Sequence, residues 1–520
     1  MRVIIPLVAL LGAHVLSGCL PSDTPEDPSN DIPTGSDGTG GAGGGDTSGA
    51  GGDDAAGAGG GDTSGAGGDN TAGAGGGENA AGGGGAGSVA PSPEGAWYQQ
   101  ISGPHLERSM ALAIDPGMRV LVAGSSRGAT NFGAGPVAPV GFEDLFVAKY
   151  SDDGDLRWAQ RFGGVQVTST GAAIFGNDGV AVVGHYTSGP LHVGAVALDT
   201  PAKADLFVVA LDGRGTLRWA RRLGGLDHDL AGRVAAGPRD SVIVAGQSGD
   251  RLLLAKLAID GTTVFDRTLG HLSRTPSSLA PIGGLAVDHR GDILVAGSFN
   301  GDGDLGGGAT RGLKGDQAWV AKYSGQDGAH LWSRHLGAPA DQGLGRGDEA
   351  QGLLVDERGD VLIAGRFAAG ADLGEGPIEG EGGVFLAKLD GQDGSMRWVN
   401  PFPAARVGAA TLSFAPGGHV ALITSLAGPF DLGGGVVNTR GSYVATYEPD
   451  TGAFVEQRHL AELGSALLDA QNGSFGPGAA AIDPAGRLTI VTGFDGEAQT
   501  GFGALQSQGR SDVLVGHLPL

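Results

Sequence analysis

The chain has 520 residues, 103 of them glycine, with 6% aromatic residues and one cysteine. A single thiol excludes intrachain disulfides and cysteine-based metal sites. A formal charge of −24 argues against a phosphate-binding surface, which needs clustered cations, so nucleic acid is not an expected partner.

The N-terminus reads "MRVIIPLVALLGAHVLSGCL". Arg2 gives a short positive region. Val3 to Val15 form an apolar run too short for a comfortable membrane span, so residues 1–18 are expected to be a signal peptide. Residues 16–19, "LSGC", resemble a bacterial lipobox. That resemblance implies that Cys19 is acylated and becomes the first mature residue, with the membrane as a partner through more than one acyl chain. Leu20, rather than an aspartate, follows it, which favours an outer-membrane lipoprotein at the cell envelope, with surface exposure left open.

Residues 19–93 read as a disordered tether. Text such as "GAGGGDTSGAGGDDAAGAGG" holds almost no large apolar side chain and cannot offset chain entropy by burial. As a flexible glycine-rich coil it reaches roughly 45–50 Å. It carries acids and no Lys or Arg, so much of the negative charge belongs to it.

From residue 94 to 520 the chain repeats with a period of about 60 residues, a propeller or solenoid signature. One copy runs "GGLAVDHRGDILVAGSF … GDQAWVAKYSGQDGAHLWSRHLG". It divides into two pairs of short aliphatic strands, each pair joined at a glycine-containing turn. Four strands make one propeller blade, and seven copies of the first hairpin can be counted. The last copy, ending "SDVLVGHLPL", lacks a fourth strand. The matching piece, "AWYQQISG" (Ala96 to Gly103), stands at the front. The expectation is therefore an all-β, seven-bladed β-propeller closed by an N-terminal strand, which removes the exposed sheet edges.

Trp158, Trp219, Trp332 and Trp398 each sit four residues after a turn glycine. Each is followed four residues later by Phe162, Leu223, Leu336 or Phe402. An even spacing puts both on one face of a strand, as expected for packing between blades. Trp97 and Ile101 keep the interval. Phe265 replaces Trp in the third unit, and the sixth unit places Glu456 there, which predicts a register shift or bulge. The shared text "VD..G.ILVAG", "DLGGG" and "D.FVAK…DG…LRW…LGG" resembles the bacterial repeat called SBBP, found in surface lipoproteins. The resemblance covers Trp97 to the C-terminus and implies the propeller fold, with no catalytic constellation to carry over. Quinoprotein repeats also place a Trp soon after "DG", but no matching cofactor-lined funnel set is visible.

Motif strings read mostly as turns. "GSSRG" (Gly124 to Gly128) lacks the helix a nucleophile elbow requires after Ser126. "GDGDLG" (Gly301 to Gly306) lacks the helix that would receive a phosphate. RGD occurs at Arg290, Arg346 and Arg358. Asp302 and Asp304 in "NGDGD", like "SDDGD" from Ser151, offer carboxylates on glycine-rich loops, a weak Ca²⁺ candidate beside the turn role of Asp and Gly. Asp227, His228 and Asp229 form the one dense acid–histidine cluster, a candidate binding group where one blade passes to the next. No other cofactor is expected.

The long connections join second to third strands and one blade to the next, so both should emerge on one face. Function in such scaffolds sits on variable loops. The expected function is a lipid-anchored, non-catalytic binding or scaffolding module for a protein or glycan partner at the envelope. The rivals are a propeller enzyme, lyase or hydrolase, with a central metal or acid/base site, and a purely structural surface component. Two or more carboxylates or histidines converging in the central funnel would mark the enzyme.

Overall fold

The third strand of each repeat is a nearly unbroken apolar run, as in "DLFVAKY". A run of that kind must be covered on both faces, and stacking of successive sheets covers it. The computed structural model describes residues 95–272, 282–300, 302–310, 316–337, 347–461, 479–501 and 503–520. Residues 1–93, with the signal segment, Cys19 and the tether, lie outside these. So do Gly301, Arg346 and most of the three longest connectors between blades.

Seven four-stranded antiparallel sheets account for the repeats. Blade 1 consists of Glu107–Ile114, Val120–Ser126, Asp144–Tyr150 and Leu156–Phe162. In blades 2 to 6 the first strands are Val167–Phe175, Asp229–Gly237, Ile282–Val287, Glu349–Val355 and Arg406–Phe414. In blade 7 Ala479–Ile482, Arg487–Phe494 and Asp512–Pro519 are joined by Trp97–Ile101 as outermost strand. Trp97 lies opposite His517 and Ile101 opposite Val513. Each first strand touches the first strands of the blades before and after it, blade 7 meeting blade 1. The first strands therefore line the centre of a closed seven-bladed β-propeller.

The tryptophans lock neighbouring blades together. The Trp97 indole N–H donates to the Asp152 carbonyl at 2.9 Å, Trp158 to Gly213 at 3.0 Å and Trp219 to Ile259 at 2.8 Å. Trp332 donates to Gly391 and Trp398 to Pro449, both at 3.3 Å. In every case the acceptor belongs to the second hairpin turn of the next blade. The turn glycine has a positive φ, and its missing β-carbon makes room for the indole. A Cβ on Gly154 would stand 2.7 Å from the Trp97 ring, and one on Gly215 2.8 Å from Trp158. The spacing of glycine and Trp therefore encodes a seam between blades.

The sixth blade has the register shift expected there, and the shift is not peculiar to it. Glu456 does occupy the Trp position, opposite Thr446, and the strand has a register shift between Thr446 and Tyr447. Blades 1 to 5 carry the same shift at the equivalent place. The irregularity belongs to the fold, and Glu456 is a plain substitution within it.

A second repeated element is ionic and lies within single blades. The lysine of "VAK" is buried and pairs with the aspartate ending the first strand. Lys149 meets Asp115 at 2.8 Å, Lys322 meets Asp288 at 2.7 Å and Lys388 meets Asp356 at 2.7 Å. Blade 2 replaces both partners at once, with Ala210 and buried Phe175. Joint replacement avoids an unpaired buried charge.

Candidate binding face

The connector entering a blade pairs with the loop between that blade's second and third strands. Ser102 bridges Asn131, Gly163 bridges His192, and His271–Leu272 pairs with Gly303–Asp304. The Gly337 amide donates to the Asp372 carbonyl at 2.9 Å. Both kinds of long connection thus share one face, while the opposite face carries tight turns.

The loops on this face are built from a repeated device. Asn131, Asp304, Asp372 and Asp431 each accept, through Oδ1, the amides of the residues two and four positions on. The residue after three of them, Phe132, Leu305 or Leu432, is buried and takes a hydrogen bond on its carbonyl from Tyr150, Tyr323 or Tyr447. Asp304 therefore caps its own loop, through the amides of Gly306 at 2.7 Å and Gly308 at 3.0 Å. Asp302 is exposed on the same loop. Among the described residues no group of three His, Cys, Asp or Glu converges as a metal site.

Asp227, His228 and Asp229 are not brought together. Asp229 is buried at the start of blade 3, where it accepts the Gly225 amide at 2.6 Å. Asp227 is exposed and faces Lys203 at 3.5 Å, and His228 is exposed. Beside them the second and third strands of blade 3 are joined by a tight turn at Gly249, so the rim is low there. His271 Nδ1 meets Asp250 at 2.9 Å on the far side of that turn. Leu226 projects from the same connector with 83% of its surface exposed. In blade 1 Val140 and Phe142 are 62% and 63% exposed, with the Arg127 guanidinium over the Phe142 ring at 5.0 Å. Sequence reasoning missed these apolar tips, because a single valine or phenylalanine in a loop carries no periodic signal.

The other motif strings resolve into structure. Ser126 is buried at the end of a strand. The RGD aspartates are all engaged. Asp292 accepts the Gly325 amide, Asp360 pairs with Arg397 at 3.0 Å, and buried Asp348 accepts the Ala368 amide at 2.8 Å. Burial beside Asp316 pushes the Asp348 carboxyl up to about 6.

A cavity of about 10 Å³ lies among first-strand residues including Arg233, Gly284, Gln351 and Thr411, room for about one water molecule. Arg233 is spent on the carbonyls of Gly283 and Gly232, and Gln351 on the Ala410 amide. This cavity has no carboxylate or histidine in its lining.

Comparison with known proteins adds little beyond the fold. No family model matches the chain. The regulatory protein FlaEY of Caulobacter vibrioides is 26% identical over 187 residues, 35% of this chain and 19% of FlaEY. The chain thus matches about a fifth of that relative's length. Among solved structures, the Dos1 propeller aligns over 80% of this chain and 95% of its own, at 9% identity and a TM-score of 0.39. Virginiamycin B lyase from Staphylococcus aureus aligns over 82% and 99%, at 7% identity and 0.42. The quinohemoprotein alcohol dehydrogenase ADHIIG of Pseudomonas putida HK5 aligns over 81% and 76%, at 12% identity and 0.37. Enzymes stand among these neighbours, and fold likeness does not transmit activity. Among the described residues no helix is long and apolar enough to cross a membrane.

Proposed function

We propose that the chain is a lipid-anchored, SBBP-type surface propeller that binds a protein or glycan partner at the outer membrane through its elaborated face. The observation that carries this reading is the asymmetry between the two faces. Among the described residues the long connections share one side, and that side presents Phe142, Val140 and Leu226 to solvent. Exposed apolar tips on rigidly capped loops suit contact with a partner. The lipobox-like segment at Cys19 supports the address.

Two measurements test the proposal. Cys19→Ser is expected to abolish labelling by a palmitate analogue and to release the protein from membranes; labelling that persists sinks the anchor. Cross-linking of envelope partners is expected to centre on residues 131–143, 224–228 and 430–440. Cross-links centred on the tight turns, at Arg290 or Arg214, overturn the binding face.

A further inference from the structure

The seam closed by the N-terminal strand differs from its counterparts in charge. In blade 1 Asp144 opens the third strand and is met by Arg161 of the fourth strand at 2.9 Å, both buried. In blade 2 Asp205 and Arg222 form the same pair. In blade 7 the equivalent aspartate is Asp512, and the residue at the arginine position, opposite Leu514, is Gln100. Gln100 Nε2 donates to Asp512 Oδ2 at 2.6 Å. The amide of Gln508 also donates to that oxygen, at 3.1 Å. Neither donor carries a charge, so this buried aspartate lacks the cation that its counterparts have.

A second acid faces it across the seam. Glu107, fully buried, starts the first strand of blade 1. Its backbone is clamped to blade 7. Its N–H donates to the Ser511 carbonyl at 3.0 Å, and Ser511 Oγ donates to its carbonyl at 3.0 Å. Thr130 Oγ1 reaches Glu107 Oε1 at 3.5 Å, while Oε2 is buried with no hydrogen-bond partner. Arg161 acts on Glu107 from the fourth strand but is already paired with Asp144, and donates to the Gly128 and Val137 carbonyls. Arg127, at the lip, is paired with Glu143. Gly103, where the closing strand leads into blade 1, lies so close over Glu107 Oε1 that a β-carbon would collide with it. The closing strand is therefore part of the lid over this carboxyl.

We propose that Glu107 holds a proton in the closed ring, and that Trp97–Ile101 is a latch that loosens when this proton is lost. A buried carboxylate with one oxygen left without a donor, opposite a second carboxylate that lacks a cation, is strongly unfavourable, and one proton on Oε2 relieves both problems. The shift agrees with the geometry. Burial and then Asp512 push the Glu107 carboxyl up to about 8, against the pull of Thr130 and Arg161. The sign follows from proton counting. The closed ring holds a proton that an opened latch releases above the ordinary carboxyl range, so closure is strongest at low pH and weakens as pH rises to about 8.

Hydrogen exchange of the full chain tests this, read on the amides of Trp97–Ile101 and corrected for intrinsic rates. The latch-opening constant is expected to rise by up to about tenfold per pH unit between pH 6 and 8. Glu107→Gln, isosteric and uncharged, is expected to remove that slope. Asp512→Asn is expected to move the transition to lower pH, and serves as the test if Glu107→Gln does not fold. Infrared difference spectra at pH 6 are expected to show one protonated carboxyl that Glu107→Gln lacks. A slope retained in Glu107→Gln overturns the proposal, as does an ionised Glu107 at pH 6. So does calcium tightening the latch in the native chain but not in Glu107→Gln, because a cation would then hold the site.

Discussion

Blades 1 and 7 use one template with different chemistry. In blade 1 the buried Lys149 pairs with Asp115, Arg161 pairs with Asp144, and Trp158 locks onto blade 2. In blade 7 the lysine position is His517, the arginine position is Gln100, and Asp483 turns to Arg487 at 2.8 Å. The tryptophan lock is retained, through Trp97, and so is the aspartate–arginine pair four residues apart, which blade 1 makes between Asp115 and Arg119 at 2.7 Å. Blade 1 is one continuous stretch of chain, and its buried charges are paired within the blade. Blade 7 is assembled from both ends of the described domain. Thr489, Thr492 and His517 are buried there beside Asp483 and Asp512, and half-buried Gln100 stands where blade 1 has an arginine.

The strongest way to break that comparison is to remove the late strand. A chain beginning at Pro104 leaves the edge Asp512–Pro519 unpaired and is expected to aggregate, while one beginning near Ser92 remains monomeric in size-exclusion chromatography. Equal melting of the two would show that the strand contributes nothing to closure.

Next in size is the ionic pair of blade 1. Lys149→Ala leaves buried Asp115 with Arg119 as its remaining cation, at 2.7 Å, and is expected to cost about 3 kcal/mol in denaturant unfolding, the low end for a broken buried pair. The double change Lys149→Ala with Asp115→Phe copies blade 2 and is expected to recover most of it. Failure of the double variant to recover would show that the pair is not interchangeable with the apolar solution.

The two tryptophan locks should then be similar. Trp97→Ala and Trp158→Ala are each expected to cost about 3 kcal/mol, the low end for large aromatics because both indoles are half-buried. Their difference should appear in hydrogen exchange, with Trp97→Ala freeing the N-terminal strand before the rest of the ring. Simultaneous release of all blades in both variants would dissolve the contrast.

A smaller effect comes from His517. It is fully buried, bonded through Nδ1 to Thr489 Oγ1 at 2.8 Å and stacked on Trp97 at 5.1 Å. Burial, with help from Arg487, pushes its imidazole down to about 4 from an ordinary 6.5. The unfolded chain therefore binds a proton that the folded ring refuses between these values. Stability from this group is complete above about 6.5 and is lost as pH falls to about 4, in total about 3 kcal/mol. The native chain minus His517→Phe, compared by melting from pH 7 to 4, should show that difference. This acid limb is opposite in sign to the one at Glu107.

The smallest prediction sharpens the seam rule. Glu456→Trp would place an indole beside blade 7, whose third and fourth strands come from distant parts of the chain and have no hairpin turn between them to receive it. Stability, read from the melting temperature, is expected to change by no more than about 0.5 kcal/mol, and a clear rise would show that the lock does not need the turn.

Much of this was legible in the amino-acid sequence. Seven hairpin pairs, the displaced fourth strand and the packing role of the tryptophans follow from period, alternation and turn glycines, because those patterns report local backbone geometry. The position of Asp304 as a loop cap was also within reach, since Asp before Gly-x-Gly is turn chemistry. Three features were decided only by the tertiary structure. Asp227, His228 and Asp229 are adjacent in sequence, yet one is buried and two are exposed, because the strand of blade 3 begins between them. The regular bulge that makes Glu456 an ordinary position is visible only when six sheets are superposed in register. Glu107 and Asp512 stand 405 residues apart and meet because the ring closes on itself. Local pattern determines strands and turns, which depend on near neighbours; the protonation and pairing of a buried group depend on whatever the closed ring brings against it.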